Sequence, residues 1–260
     1  VRVASRPRSL AAIAAALLLI ACTDASSASN AAAVAASDVV TITTSDGVDL
    51  SGRIFGPADA TSGVVLAHTL SGDQTRWFGF ADRLAGQGFR VLTFDFRGYC
   101  PGGDGGCSGG SKDVNAAPTD LAAAVQYLRD DGVSRLGIAG ASMGGTAALL
   151  VASEDPEGVP AVVLLSAPQV LYGLEVGPDV LQKVSGAKLY IAGLGDPAGA
   201  AASADAMAAL GPQPVREEIV TADEHGTALL GSTSGEHIQE LMEQWFGQYL
   251  APRPTPSDHA

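Results

Sequence analysis

From about residue 38 the chain alternates short apolar runs with breakers and with longer stretches of helical period. Val39 to Thr44 alternates, and Val48 to Phe55 follows an Asp46-Gly47 turn, so the pair predicts an antiparallel hairpin. Gly63 to His68, Phe89 to Asp95, Leu136 to Gly140, Val159 to Leu165 and Ala187 to Ala192 are largely apolar and read as strands, and Val215 to Val220 reads as the last strand. Between them, Arg76 to Gln87, Ala116 to Asp131, Ser203 to Leu210 and Glu236 to Leu250 carry apolar residues at three-to-four spacing. Runs apolar at most positions, without alternation, suit strands covered on both faces. Strands alternating with helices predict an α/β fold, with one doubly wound, mostly parallel sheet flanked by helices and an N-terminal antiparallel hairpin. No internal repeat is visible, so residues 38–250 are expected to form one domain.

The pattern changes at both ends. Arg2, Arg6 and Arg8 precede an apolar stretch from Leu10 to Ala21, which is short for a membrane span and fits a secretory signal over residues 1–21. It closes on Leu19-Ile20-Ala21-Cys22, which resembles the lipobox of bacterial lipoproteins. That resemblance implies cleavage before Cys22, a lipid on Cys22, and anchoring at the outer face of the cell membrane. An ordinary signal peptide with a chance cysteine is the alternative. Residues 22–37 are rich in Ala, Ser and Asn and are expected to form a tether. Pro252, Pro254 and Pro256 forbid a continuing helix, so 251–260 is expected to be a disordered tail.

Charge narrows the choice of partners. The chain carries 15 Lys and Arg against 28 Asp and Glu, a net charge of −13. Losing the three signal arginines would take this from −13 to −16. Phosphates would be repelled, so nucleic acid is not expected as a partner. Of the three cysteines, Cys100 and Cys107 remain once Cys22 is assigned to lipid. An exported compartment permits a disulfide, and a Cys100–Cys107 bridge is expected, with two free thiols as the alternative. Their spacing has no second pair to complete a metal site, and neither metal nor cofactor is expected.

The chemistry centres on Gly140-Ala141-Ser142-Met143-Gly144. A strand pattern precedes it and a helix pattern follows. Strand, Gly-x-Ser-x-Gly turn and helix is the setting of a nucleophile elbow, which lifts the serine hydroxyl above the sheet. A second match, Gly106-Cys107-Ser108-Gly109-Gly110, lies in a glycine-rich loop with no strand before it and is read as a product of composition.

With these residues in place, the chain resembles an α/β-hydrolase over about residues 40–250, with a short cap similar to that of dienelactone-hydrolase-like members. That fold keeps its chemistry at the carboxyl ends of the strands, in the order nucleophile, acid, histidine. Ser142, Asp196 of Gly195-Asp196-Pro197 and His225 of Glu224-His225-Gly226 match that order. The resemblance implies that Ser142 attacks, His225 moves the proton and Asp196 orients the imidazole. Asp223 is a rival acid, but with one residue between it and His225 its side chain should point elsewhere. In His68-Thr69-Leu70 the family more often has His-Gly; by position Leu70 and Met143 would give the two oxyanion N–H groups. His68 is expected to be structural. Phe94-Asp95-Phe96-Arg97-Gly98 resembles the family's Asp-x-Arg-Gly turn, which implies an Asp–Arg arrangement fixing a loop beside the site. His237 and His259 are expected to be exposed.

A serine triad with an oxyanion hole transfers acyl groups to water, and a small-molecule ester is the expected substrate. About 20 residues separate the Val159 and Ala187 strands, where larger members insert a lid, so no large lid is expected. The well-known dienelactone hydrolases use cysteine, so a lactone substrate does not carry over. An amide or peptide hydrolase on the same residues, or a non-catalytic binding lipoprotein, is the alternative. A dinucleotide site is excluded by the glycine spacing.

Overall fold

The computed structural model describes residues 37–251. The expected signal segment, Cys22, the tether up to residue 36 and residues 252–260 of the expected tail lie outside the described residues. Among the described residues, the ten strands are β1 (Ser37–Thr43), β2 (Asp49–Phe55), β3 (Ser62–Ala67), β4 (Arg90–Phe94), β5 (Arg135–Ala141), β6 (Ala161–Leu165), β7 (Val170–Leu171), β8 (Leu174–Glu175), β9 (Ala187–Gly193) and β10 (Val215–Val220). The α-helices among these residues are α1 (Phe78–Gly86), α2 (Ala117–Asp130), α3 (Met143–Glu154), α4 (Pro178–Lys183), α5 (Ala200–Ala208) and α6 (Gly235–Leu250).

Eight strands form one sheet in the order β1-β2-β4-β3-β5-β6-β9-β10. The pairs β1–β2 and β2–β4 are antiparallel, and every later pair is parallel. β4, β6 and β9 are buried along their whole length, which is why they read as largely apolar runs. Helices cover both faces. Leu121 and Leu128 of α2, Leu149 of α3, Leu181 of α4 and Met207 of α5 share one core with Leu92 and Tyr190. Phe80 and Leu84 of α1 share the other with Leu241 and Trp245 of α6. The fold is that of an α/β sheet wound on both sides, as expected.

Element details differ from the sequence pattern where elements are short. The helix expected from Arg76 is a 3-10 turn, Gln74–Trp77, followed by α1. Its start is set by Asp73, whose carboxylate accepts from the Thr75 N–H. α5 begins at Ala200, three residues before the expected start, because Gly199 takes a left-handed φ of 71° immediately before it. The stretch between β6 and β9 holds the two-residue strands β7 and β8 and the six-residue α4. None is long enough to show a period. α3 is buried on nearly every residue because it lies on β5 and β6 between α2 and α4.

Candidate active site

β5 delivers Ser142 to the edge of the sheet. The Ser142 N–H still donates to the Leu165 carbonyl at 2.8 Å, continuing the β5–β6 ladder for one residue. Its φ of 50° and ψ of −113° then turn the chain directly into α3. A non-glycine residue with this φ is strained and persists only where its surroundings hold it. The hold comes from close packing. A Cβ on Gly140 would lie 2.2 Å from the Gly144 carbonyl oxygen, and one on Gly144 would lie 2.4 Å from the Ala67 carbonyl oxygen. Both positions must be glycine for strand, turn and helix to approach. The Ser142 side chain makes no capping bond to α3. The Met143 N–H lies in the first turn of α3, where no helical carbonyl faces it.

Three other strand ends converge there. Asp196 follows β9, and its side chain is fully buried. One carboxylate oxygen accepts from the Ala198 N–H at 2.9 Å; the other is 2.7 Å from His225 Nδ1. His225 follows β10, and its ring is one-third exposed. The next residue, Gly226, turns with φ 60°, and a Cβ built on it would stand 3.9 Å from Ser142 Cβ and 2.5 Å from Thr69 Cγ2. The structure therefore brings Ser142, Asp196 and His225 to one end of the sheet, with Thr69 and Leu70 arriving from β3. Asp223 is exposed, and its Oδ1 is what a Cβ on Gly195 would strike at 1.9 Å. His237 is exposed and pairs with Glu218 at 2.8 Å.

His68 is buried between Phe96 and Tyr99, with ring centroids 4.9 and 4.7 Å away. Its Nε2 accepts the Phe96 N–H at 3.1 Å, so the proton is on Nδ1, which donates to the Thr69 carbonyl at 2.7 Å. Burial pushes this imidazole down to about 4. The turn at Asp95 corrects an expectation, because Asp95 and Arg97 do not pair. Asp95 accepts from the Gln74 N–H and Nε2, each at 2.9 Å, and burial pushes its carboxyl up to about 7. Arg97 instead bridges buried Asp120 at 2.7 Å and Asp46 of the β1–β2 turn at 2.7 Å. Asp95 and Arg97 each find a separate partner.

Cys100 and Cys107 are disulfide-bonded. Immediately after the loop they close, Ser108 donates to the Asp95 carbonyl at 2.6 Å and accepts the Ser51 N–H at 2.9 Å. The second Gly-x-Ser-x-Gly match thus carries a buried, structurally bonded serine. Sequence reasoning missed Tyr99, whose hydroxyl donates to the Leu70 carbonyl at 2.6 Å. No local pattern links residues 29 apart, and only the fold brings them together.

Residues 64–251 match the α/β-hydrolase fold family. The chain belongs to that family. Among its relatives, the bifunctional esterase/perhydrolase DCH of Acinetobacter calcoaceticus is 34% identical over 146 residues, covering 55% of this chain and 50% of that protein. The chain thus matches about half the length of that relative. The dienelactone hydrolase of Anabaena variabilis superposes with a TM-score of 0.67 at 24% identity, covering 82% of this chain and 98% of that one. An esterase of Pyrococcus furiosus superposes at 0.64 and 21%, covering 82% and 90%. As an α/β-hydrolase-fold protein, the chain holds its candidate residues at the strand ends where this fold keeps its chemistry. A groove of about 860 Å³ between α2, α3 and the β1–β2 turn, lined by Tyr127, Leu150 and Asp155, is at the other end of α3 from Ser142.

Proposed function

We propose that this chain is an exported, lipid-anchored serine hydrolase that cleaves small carboxylic esters with Ser142, His225 and Asp196. The observation that carries this reading is the 2.7 Å bond between His225 Nδ1 and Asp196, on a loop whose next residue abuts Ser142. Serine is a weak nucleophile until a base takes its proton. In this reading Ser142 Oγ attacks the ester carbonyl carbon while His225 Nε2 accepts the hydroxyl proton. Asp196, acceptor at Nδ1, holds the tautomer that leaves Nε2 free and stabilises the imidazolium as it forms. The carbonyl oxygen becomes an oxyanion facing the N–H groups of Leu70 and Met143, each worth about 3 kcal/mol in such sites. Collapse breaks the bond to the alcohol oxygen, which leaves with the His225 proton. Water then attacks the acyl-serine with His225 as base, and the acid departs.

Ester cleavage is favoured by the relative named as an esterase/perhydrolase. Small substrates are favoured by the cap, which consists of a two-strand hairpin and one six-residue helix. Anchoring rests on the lipobox-like run ending at Cys22. The test is labelling of the purified protein with a fluorophosphonate probe beside Ser142→Ala, followed by a panel of p-nitrophenyl esters of rising chain length. Labelling lost in Ser142→Ala, with rates falling as the acyl chain lengthens, supports the reading. A folded wild-type protein that does not label would defeat it. For the anchor, a palmitate label is expected in cells making the wild-type chain and lost in Cys22→Ala; a label retained in that variant would refute it.

A further inference from the structure

Two successive carbonyls beside the candidate nucleophile are gripped by buried aromatic side chains. His68 Nδ1–H donates to the Thr69 carbonyl at 2.7 Å, and the Tyr99 hydroxyl donates to the Leu70 carbonyl at 2.6 Å. A peptide unit is planar and trans, so its N–H points opposite its C=O. Fixing the Thr69 carbonyl therefore fixes one side of the plane that carries the Leu70 N–H. Fixing the Leu70 carbonyl stops rotation of the next plane. Between them, Leu70 has neither flanking peptide free to turn.

Tyr99 is in turn held from its own side. Its ring packs against His68 at 4.7 Å, and the Lys112 ammonium lies 3.8 Å from its centroid. Its carbonyl accepts the Ser108 N–H at 2.8 Å. The next residue, Cys100, is bridged to Cys107, and both cysteines are exposed. Burial pushes the phenol up to about 12, so it remains a donor across the pH range of ester assays. The four glycines between Pro101 and Cys107 would leave this loop loose without its bridge.

We propose that Tyr99 is a positioning residue for the oxyanion site, and that the Cys100–Cys107 loop acts on turnover through it. The proposal rests on the serine-hydrolase reading above. The oxyanion N–H must already point at a charge that appears only in the transition state, so losing its alignment lowers kcat and leaves ester binding nearly unchanged. A dithiol reductant reaches the same device from the other end. Its thiolate attacks one bridge sulfur, its second thiol closes a ring, and Cys100 and Cys107 leave as thiols with the two electrons and two protons.

The experiment measures kcat, KM and the affinity of an alkyl boronic acid, which forms a tetrahedral anion on an active serine, for wild-type protein and Tyr99→Phe, each oxidised and reduced by dithiothreitol. Tyr99→Phe is expected to lose about tenfold in kcat and in boronate affinity with KM within about twofold. Reduction is expected to lower wild-type kcat toward the same level and to leave Tyr99→Phe unchanged. Wild-type kcat and boronate affinity in folded Tyr99→Phe would overturn the proposal. So would an equal loss on reduction in both proteins, because the loop would then act by another route. The Cys100→Ser/Cys107→Ser variant keeps Tyr99 and carries the same expectation as reduction; wild-type kcat there also sinks the coupling. A wild-type protein that neither labels with fluorophosphonate nor binds boronate would instead defeat the hydrolase reading itself, and this proposal with it.

Discussion

At the scale of single residues, the two aspartates near His225 separate cleanly. Asp196 is buried and bonded to Nδ1, whereas Asp223 is exposed and turned toward Gly195. Asp196→Asn presents an amide where the imidazole needs an anionic acceptor, so kcat for a p-nitrophenyl ester should fall on the order of 10³- to 10⁴-fold with little change in KM. Asp223→Asn should stay within about twofold. Equal losses in the two variants would remove Asp196 from its proposed role. The His68–Asp95 contact, 3.6 Å between Nε2 and Oδ1, makes a second prediction. Burial lowers His68 from 6.5 to about 4, so the unfolded chain binds its proton more tightly, and this contribution to stability is lost as pH falls from about 6.5 to 4. Burial raises Asp95 from 3.8 to about 7, so the native state binds that proton more tightly, and its contribution is lost as pH rises from about 4 to 7. The two slopes oppose each other between about 4 and 6.5. Asp95→Asn removes one of them. Urea unfolding should then show the variant losing stability on acidification relative to wild type, by up to about 1.4 kcal/mol per pH unit. Parallel pH profiles for the two proteins would contradict these protonation states.

At the scale of elements, Arg97 ties three pieces of the fold together. It follows β4 and bridges Asp120 in α2 and Asp46 in the β1–β2 turn. Asp120 is fully buried and also accepts the Arg97 N–H at 2.8 Å. Arg97→Met strands that carboxylate without its cation, so the variant should lose about 3 kcal/mol in urea unfolding. Replacing Arg97 and Asp120 together by Met and Leu should recover part of the loss, since the stranded charge is then gone. A double variant no more stable than Arg97→Met would show that the ion pair itself, and not the stranded carboxylate, matters. This bridge also marks what local pattern can reveal. Strands such as β3, β4, β6 and β9 were legible because both faces are buried almost throughout and most positions are apolar. The elbow at Ser142 was legible because only Gly140 and Gly144 admit the approach of strand and helix. The Asp-x-Arg-Gly turn suggested that Asp95 would serve Arg97, yet their partners, Gln74 and Asp120, come from elsewhere in the chain. Likewise the grip of Tyr99 on Leu70, and the small hairpin and helix of the cap, depend on packing between distant segments or on elements too short for a period.

At the scale of the whole molecule, the topology gathers residues from four strand ends while the charge decides what can approach them. Leu70, Ser142, Asp196 and His225 are spread over 156 positions of sequence, yet they follow β3, β5, β9 and β10 of one sheet. The parallel strands point their carboxyl ends the same way, so their following loops share one edge. That edge is acidic. Asp223 and Glu224 are exposed immediately before His225, and the chain as a whole carries a net charge of −13. A neutral ester meets no field, whereas an ester bearing its own carboxylate is repelled on approach. Raising ionic strength from about 0.01 to 0.15 M shortens the screening length from about 30 to 8 Å and should lift kcat/KM for the anionic ester several-fold. The neutral ester of the same acyl length should stay flat over that range. The pair of measurements separates field from chemistry, because in the proposed mechanism both substrates use the same serine and the same oxyanion donors. Adding Asp223→Asn and Glu224→Gln should raise kcat/KM for the anionic ester at low salt and shrink its salt dependence. If anionic and neutral esters respond to salt alike, the acidic edge plays no part in selecting substrates, and preference lies with the short cap formed by β7, β8 and α4 alone.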